Sequence, residues 1–382
     1  MSQTKKKKKG AWLGVACFML IGMVCGIVMG HYVEQAVDAG RPIGEVLYML
    51  AFLFVGMYIA MFFHIAVHEA GHLVFGLLTG YRFSSYRIGS IMLLKENGKL
   101  RLKRFSLAGT GGQCLMLPPD MKDGKVPYVL YNLGGSLANV FFSVLAFVGV
   151  LLGDRDSMYI ILLYILIIVG IGFALMNGIP MCLGGMNNDG KNAWALGKDP
   201  EALRSFWVQM KTNELISKGK RLKDMPEGWF RFPSEEGLKN HMSIVIGVFL
   251  CNRQMDMHDF DNAKATMTKL LSEDTVMSDI YRNLLELDGI YLELIGENNK
   301  QKIEEVFDKD LKKFMKSMKR FPSVLRVEYA YALLFEKDIK KAEAVKEQFE
   351  KMARTYPYAS DIESERELMG IADAKSAQEV TE

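Results

Sequence analysis

Four long apolar runs decide what this chain can become. They cover about 11–33, 43–79, 128–152 and 158–182, and a helix of roughly 20 apolar residues is enough to cross a bilayer. In hydrocarbon every backbone N–H and C=O must find a partner within the protein, which leaves helices or closed barrels as spanning forms. The sequence therefore predicts an all-α polytopic membrane protein with four transmembrane helices. The second run is too long for a simple crossing, so part of it must tilt or project. Lys5 to Lys9 form a basic run directly before the first apolar segment, as in a signal peptide. However, Ala11 to Val33 is longer than the apolar region of such a peptide, and no convincing small-residue cleavage site follows it. We read it as a retained membrane helix behind a basic cytoplasmic N-terminus, residues 1–10.

Lys and Arg in the short connections set the orientation. The 34–42 loop has only Arg41 and the 153–157 loop only Arg155. The 81–126 connection holds Arg82, Arg87, Lys95, Lys99, Arg101, Lys103, Arg104, Lys122 and Lys125. Both termini and the long connection are thus expected on the cytoplasmic side of a cell membrane, the basic face suggesting a prokaryotic plasma membrane. The net charge of +3 is too small to argue for a nucleic-acid partner. The five cysteines form no CxxC pair and suggest neither a disulfide framework nor a cysteine metal site.

The 81–126 connection is no ordinary loop. Runs rich in strand formers flank Asn97-Gly98, a tight-hairpin signal, so a small β-ribbon is expected at about 81–117 at the cytoplasmic interface. Ala108 to Gly112, "AGTGG", leaves backbone with little side-chain cover. Another chain can pair there, although a flexible turn is the plainer reading.

The stretch "FFHIAVHEAGHLVFGLLTG", Phe62 to Gly80, puts ionisable groups inside the second apolar run. Such groups are costly in a membrane and functional by default. His68-Glu69-Ala70-Gly71-His72 is H-E-x-x-H. Residues four apart share a helix face, so His68 and His72 can bind one Zn2+ ion. Glu69 beside them can act as base toward water and later return a proton to the leaving amine. His64 lies on the same face. Three imidazoles along one straight helix span about 11 Å, too far for one zinc at bonds near 2 Å, so His64 is expected to line the cavity. A third protein ligand must come from elsewhere. His31, His241 and His258 are poorly placed, and no histidine follows at the H-E-x-x-H-x-x-G-x-x-H spacing. A carboxylate serves instead: Asp189, just past the fourth span and on the same side.

With these residues in view the chain resembles the site-2 proteases, the intramembrane zinc metalloproteases. In that family the H-E-x-x-H helix is joined by an aspartate from a later segment, in an Asn-x-x-Pro motif followed by Asp-Gly. Asn177-Gly178-Ile179-Pro180 and Asp189-Gly190 match it. "GGSLAN", Gly134 to Asn139, resembles the family's small-residue-plus-asparagine element, with Gly135 where proline is common. Eight residues separate Pro180 from Asp189, more than is common in the family, which leaves Asn187 and Asn188 as neutral neighbours of the ligand. The resemblance covers roughly 43–192. It implies that Asn139 and Asn177 hold substrate or stabilise the developing oxyanion. Helix–helix hydrogen bonding is the alternative for both.

From about 200 onward the pattern is amphipathic helix. "DFDNAKATMTKLL" from Asp259 resembles "DIKKAEAVKEQFEKM" from Asp338, with "NNKQKIEEVF" near Asn299 about midway. A tetratricopeptide-like repeat and a plain helical bundle fit about equally. The expected organisation is a protease domain over 11–190 and a cytoplasmic helical domain over 191–382. The latter would dock a protein partner, mediate self-association or control access. The leading function is a zinc endopeptidase that cuts a membrane-embedded protein or peptide. The alternative is a non-catalytic scaffold or transporter-like protein with a helical docking domain. Intact Glu69 and the absence of inverted repeats speak against both forms of it.

Overall fold

A computed structural model describes residues 4–96, 98–105, 111–153, 157–183, 186–272 and 275–381. Part of the "AGTGG" stretch therefore lies outside the described residues. By compactness the chain divides into two units, Met1–Gly89 with Leu107–Pro200, and Ser90–Ser106 with Glu201–Glu382.

The first unit holds the apolar helices α1 (Thr4–Asp38) and α2 (Ile43–Leu78), and later α3 (Val129–Leu152) and α4 (Met158–Gly178). Within these, four stretches are long and apolar enough to cross a membrane: Gly14–Asp38, Ile43–Leu78, Val129–Leu152 and Tyr159–Gly178. The four expected spans are present, with two shifted ends. The first runs on to Asp38. The fourth stops at Gly178 and not at 182, because Pro180 has no N–H to continue the ladder and biases Ile179 to extended backbone, seen at ψ 128°. At 36 residues, α2 is roughly 54 Å long at 1.5 Å per residue, well beyond the ~30 Å of a hydrocarbon core. Leu53, Ile165 and Val169 are fully buried where α2 and α4 meet α1. Tyr58, Ile59 and Phe62 face outward, as a lipid-facing stripe would.

Between α2 and α3 come the strands β1 (Arg82–Ile88), β2 (Ile91–Glu96), β3 (Lys99–Arg104) and β4 (Gly112–Leu117), a small antiparallel sheet. In the first unit β1 pairs with β4, Arg82 opposite Leu117 and Ile88 opposite Gly112, with an irregularity between Phe83 and Ser85. The turn into β1 needs Gly80 at φ +87°, where Tyr81 N–H donates to Gly76 O and closes α2. In the second unit β2 pairs with β3, with Glu96 opposite Lys99 and Gly98 at φ +79°. The expected hairpin is there. Residues 90–106 group with the C-terminal helices. Phe105 packs edge-on to Tyr356 and Tyr358, and Lys103 Nζ donates to Pro357 O at 3.4 Å.

After α4 come two two-residue strands, β5 (Cys182–Leu183) and β6 (Met186–Asn187), then α5 (Asp189–Ala195) and α6 (Pro200–Ser217). The second unit continues with α7 (Glu235–Leu238), α8 (Ile244–Asp256), α9 (Phe260–Leu270), α10 (Asp279–Ile295), α11 (Lys300–Val306), α12 (Lys309–Ser317), α13 (Pro322–Ala330), α14 (Ile339–Ala353) and α15 (Ala359–Thr381). The three similar segments each open a helix, at α9, α11 and α14. Asn299 and Asp338 cap theirs by accepting from Lys302 and Lys341 N–H. Leu285, Tyr291, Val324, Ala330 and Phe349 centre one continuous apolar core.

Candidate metal centre

α2 carries His68 and His72 one helical turn apart, with ring centroids 4.8 Å from each other. Both are 8% exposed. α3 crosses α2 beside them at backbone contact. A Cβ on Gly71 would fall 2.2 Å from the Gly134 carbonyl oxygen, so only glycine allows this approach. Gly135 then leaves room for the His68 ring, since a Cβ there would lie 2.4 Å from His68 Cε1.

The close crossing lets α3 orient both imidazoles. His72 Nδ1 donates to Tyr131 O at 2.7 Å, and His68 Nδ1 donates to Asn139 Oδ1 at 3.2 Å. Each ring therefore turns its Nε2 lone pair the other way, toward Asp189. His68 Nε2 lies 3.1 Å from Asp189 Oδ2, His72 Nε2 lies 3.4 Å from it, and the two Nε2 atoms are 3.1 Å apart. Three acceptor atoms that converge in this way call for a cation between them. A tetrahedral zinc with bonds near 2.05 Å holds its ligand atoms roughly 3.3 Å apart. Two imidazoles and a carboxylate are also ligands zinc favours. The set His68, His72 and Asp189 fits the metal, and among the described residues it is the group of three or more potential ligands that converges.

Asp189 arrives here in spite of the long Pro180–Asp189 spacing. The extra residues fold back as the β5–β6 hairpin, Cys182 opposite Asn187. Asn188 N–H then returns to Met181 O at 3.0 Å. The Asn188 side chain fixes the rest. Its Oδ1 accepts from Met181 N–H and from Lys191 N–H, capping α5, and its Nδ2 donates to Met176 O and Ile179 O at 2.7 Å each. Asn188 is an anchor for Asp189, which it places in the first turn of α5.

Glu69 is half-buried on the β4 side of α2. The Cys114 N–H donates to its carboxylate. Gly112 gives it room, since a Cβ there would lie 2.6 Å from Glu69 Cγ. His64 is fully buried. Its Nε2 donates to Leu166 O at 2.9 Å, and its Nδ1 accepts from Asn139 Nδ2 at 3.1 Å. Both ring nitrogens are thus turned away from the metal ligands. Asn139 is fully buried and donates again to His64 O at 3.2 Å. Its amide links His64 to His68 and presents no N–H to a substrate. Asn177 is half-buried, and its Nδ2 donates to Phe173 O at 3.0 Å in its own helix.

Sequence reasoning had no role for Tyr131 or for Asn188 as a cap. Tyr131 acts through its carbonyl, which no side-chain pattern reports. Asn188 was legible in principle, because an asparagine just before a short helix is an N-cap signal.

The family model for peptidase family M50 matches residues 56–355, a stretch that includes every residue of this centre. The chain belongs to peptidase family M50. No curated protein sequence and no solved structure matches it. M50 peptidases are membrane-embedded zinc metalloproteases, so this chain is a membrane protein and a metalloprotease, with membrane-embedded substrates.

Proposed function

We propose that the chain is an endopeptidase of the site-2 type, with His68, His72 and Asp189 as ligands of one zinc and Glu69 as general base. The observation that carries this is the convergence of two Nε2 atoms and one carboxylate oxygen with a carboxylate from the adjacent residue beside them. A bound zinc supplies Lewis acidity, which makes water a competent nucleophile near neutral pH. The Glu69 carboxylate takes one proton from the attacking water as its oxygen bonds to the peptide carbonyl carbon. It passes that proton to the departing nitrogen as the C–N bond breaks, leaving a carboxyl and an amine end. Asn139, with both amide hydrogens engaged by His64, positions His68 through its Oδ1. His64 positions Asn139 in turn and packs the cavity wall. Asn177 has one amide N–H bonded within α4, and its other polar groups are available to a substrate carbonyl or an oxyanion.

Helical peptide bonds are shielded, so the substrate has to unwind near the site. The sheet after α2 offers extended backbone for pairing with the unwound stretch. The lysine and arginine distribution supports a multi-pass protein in a cell membrane with both termini cytoplasmic. It also supports cleavage near the cytoplasmic end of the substrate helix. The domain division near 190–200 is consistent with a helical docking or self-association module after the protease.

Glu69→Gln tests the reading. It should keep zinc, measured by elemental analysis, and lower cleavage by roughly 10²–10⁴-fold. The same protein should retain its uncut substrate for crosslinking and mass spectrometry. Normal cleavage by Glu69→Gln would end the proposal.

A further inference from the structure

The second unit encloses a cavity of about 230 Å3 that lies wholly within residues 216–368 and owes nothing to the protease reading. Six ionisable side chains line it: Arg221, Asp256, Asp288, Arg326, Asp361 and Glu365. That is two cations against four carboxylates, and the pairing within them is uneven. Arg221 holds Asp256 through Nε at 2.9 Å and Nη2 at 2.5 Å, and it also pairs with Glu367. Arg326 lies between Asp288, which its Nη2 contacts, and Glu365, whose Oε2 is 2.7 Å from its Nε. Asp361 is left over. No ion pair or hydrogen bond joins it to another described residue. Burial, with the negative charges of Glu365 and Asp256 nearby, pushes its carboxyl up to about 7.

A second atom is also without a partner. Arg326 is 1% exposed, and its Nη1 has no hydrogen-bond acceptor. A buried donor without an acceptor and a half-buried carboxylate without a cation are both costly. Arg326 and Asp361 both line the one space. Phe249, Tyr281, Phe321 and Tyr356 contribute aromatic rings to the same wall, and ring faces attract organic cations. The space is smaller than the roughly 300–1,000 Å3 of sites for drug-sized ligands. It suits a group of amino-acid size.

We infer that this cavity binds the cationic end of a basic side chain, an ammonium or guanidinium group. Asp361 is the counter-ion of that cation. A basic residue of a peptide and a free basic amino acid share this chemistry. The wall supplies the negative charge that such a cation needs in water-poor surroundings, from Asp361 with Glu365 adjacent.

The test uses the full chain in detergent and isothermal titration with two probes. One is free L-lysine and the other is the acetylated, amidated peptide Gly-Gly-Lys-Gly-Gly. Each is compared with its norleucine counterpart. Binding of at least one lysine probe is expected, weakened about tenfold or more by norleucine and equally by Asp361→Asn. Glu363→Gln, an exposed neighbour on α15, should change nothing. Binding of the peptide alone assigns the site to a polypeptide, and binding of free lysine alone assigns it to a small molecule. Asp361→Asn should also raise the unfolding midpoint at pH 8, because it removes an uncompensated buried charge. The inference is overturned if neither probe binds at about 1 mM, if norleucine binds as well as lysine, if Asp361→Asn binds like the wild type, or if that substitution lowers the unfolding midpoint.

Discussion

Asn139 shows how one residue can serve a metal centre without touching it. Its Oδ1 holds His68 Nδ1, and its Nδ2 is shared between His64 Nδ1 and His64 O. Partners of this kind fix ligand tautomer and orientation, and losing them costs about 10–100-fold in metal affinity. Asn139→Ala should lower zinc affinity by about that factor, read by competition with a chelator, while Glu69 keeps its bond from Cys114. If cleavage fell and zinc affinity did not, Asn139 would be acting on substrate. Gly135 makes a complementary case. A Cβ there would lie 2.4 Å from His68 Cε1 and 2.5 Å from Nδ1, and neither α3 backbone nor the ring has room to give. Gly135→Ala should therefore displace His68 and cost zinc, although alanine is the better helix former. At this scale the sequence was half legible. His68, Glu69 and His72 stand out because helix spacing alone puts them together and a membrane segment makes them conspicuous. The duties of Asn139, Gly135 and the Tyr131 carbonyl arise only where α2 meets α3, and nothing local encodes that meeting.

At the scale of elements, the fold solves a length problem. The chain from Pro180 to Asp189 is long for the family it belongs to, and a longer loop is usually a looser one. Here the excess is folded into β5 and β6, and Asn188 closes the loop with four hydrogen bonds to Met181, Lys191, Met176 and Ile179. The loop thus closes on itself and brings Asp189 to the two imidazoles. Asn188→Ala leaves two backbone carbonyls and two N–H groups without these partners, at about 1–3 kcal/mol for each that stays dry. Zinc retention should fall toward that of Asp189→Ala, measured by elemental analysis after dialysis. Retention equal to the wild type would mean that α5 places Asp189 without its cap. The four membrane helices and the β2–β3 hairpin were readable from apolar length and from Asn97-Gly98. The tiny β5–β6 hairpin was not, because strands of two residues carry no periodicity. The grouping of residues 90–106 with the C-terminal helices was hidden for another reason. It rests on Phe105 meeting Tyr356 and Tyr358, a contact across some 250 residues that composition does not announce.

At the scale of the whole molecule, the two units concentrate their buried charge in different ways. The first gathers His68, His72 and Asp189, three groups that would share one cation. The second gathers Arg221 from the segment before α7, Asp256 from α8, Asp288 from α10, Arg326 from α13, and Asp361 and Glu365 from α15, with one carboxylate unmatched. The second arrangement makes stability depend on pH in a definite direction. Asp361 sits at about 7 in the folded protein against an ordinary 3.8, so the folded state binds its proton more tightly than the unfolded state does. The stabilisation from that proton is fully present below about pH 4 and is lost as pH rises through about 7. Glu365, raised to about 7 chiefly by burial and partly offset by Arg326, adds in the same sense. Arg221 and Arg326 stay charged throughout. Asp361→Asn cannot ionise and should be insensitive to this part of the curve. In calorimetry of the full chain, the unfolding midpoint of the variant should therefore exceed that of the wild type by a margin that is small near pH 4. The margin should widen up to about pH 7 and level off above it. A margin that is constant with pH would place the proton of Asp361 elsewhere, and one that narrows as pH rises would mean that a cation already holds its carboxylate in the folded protein.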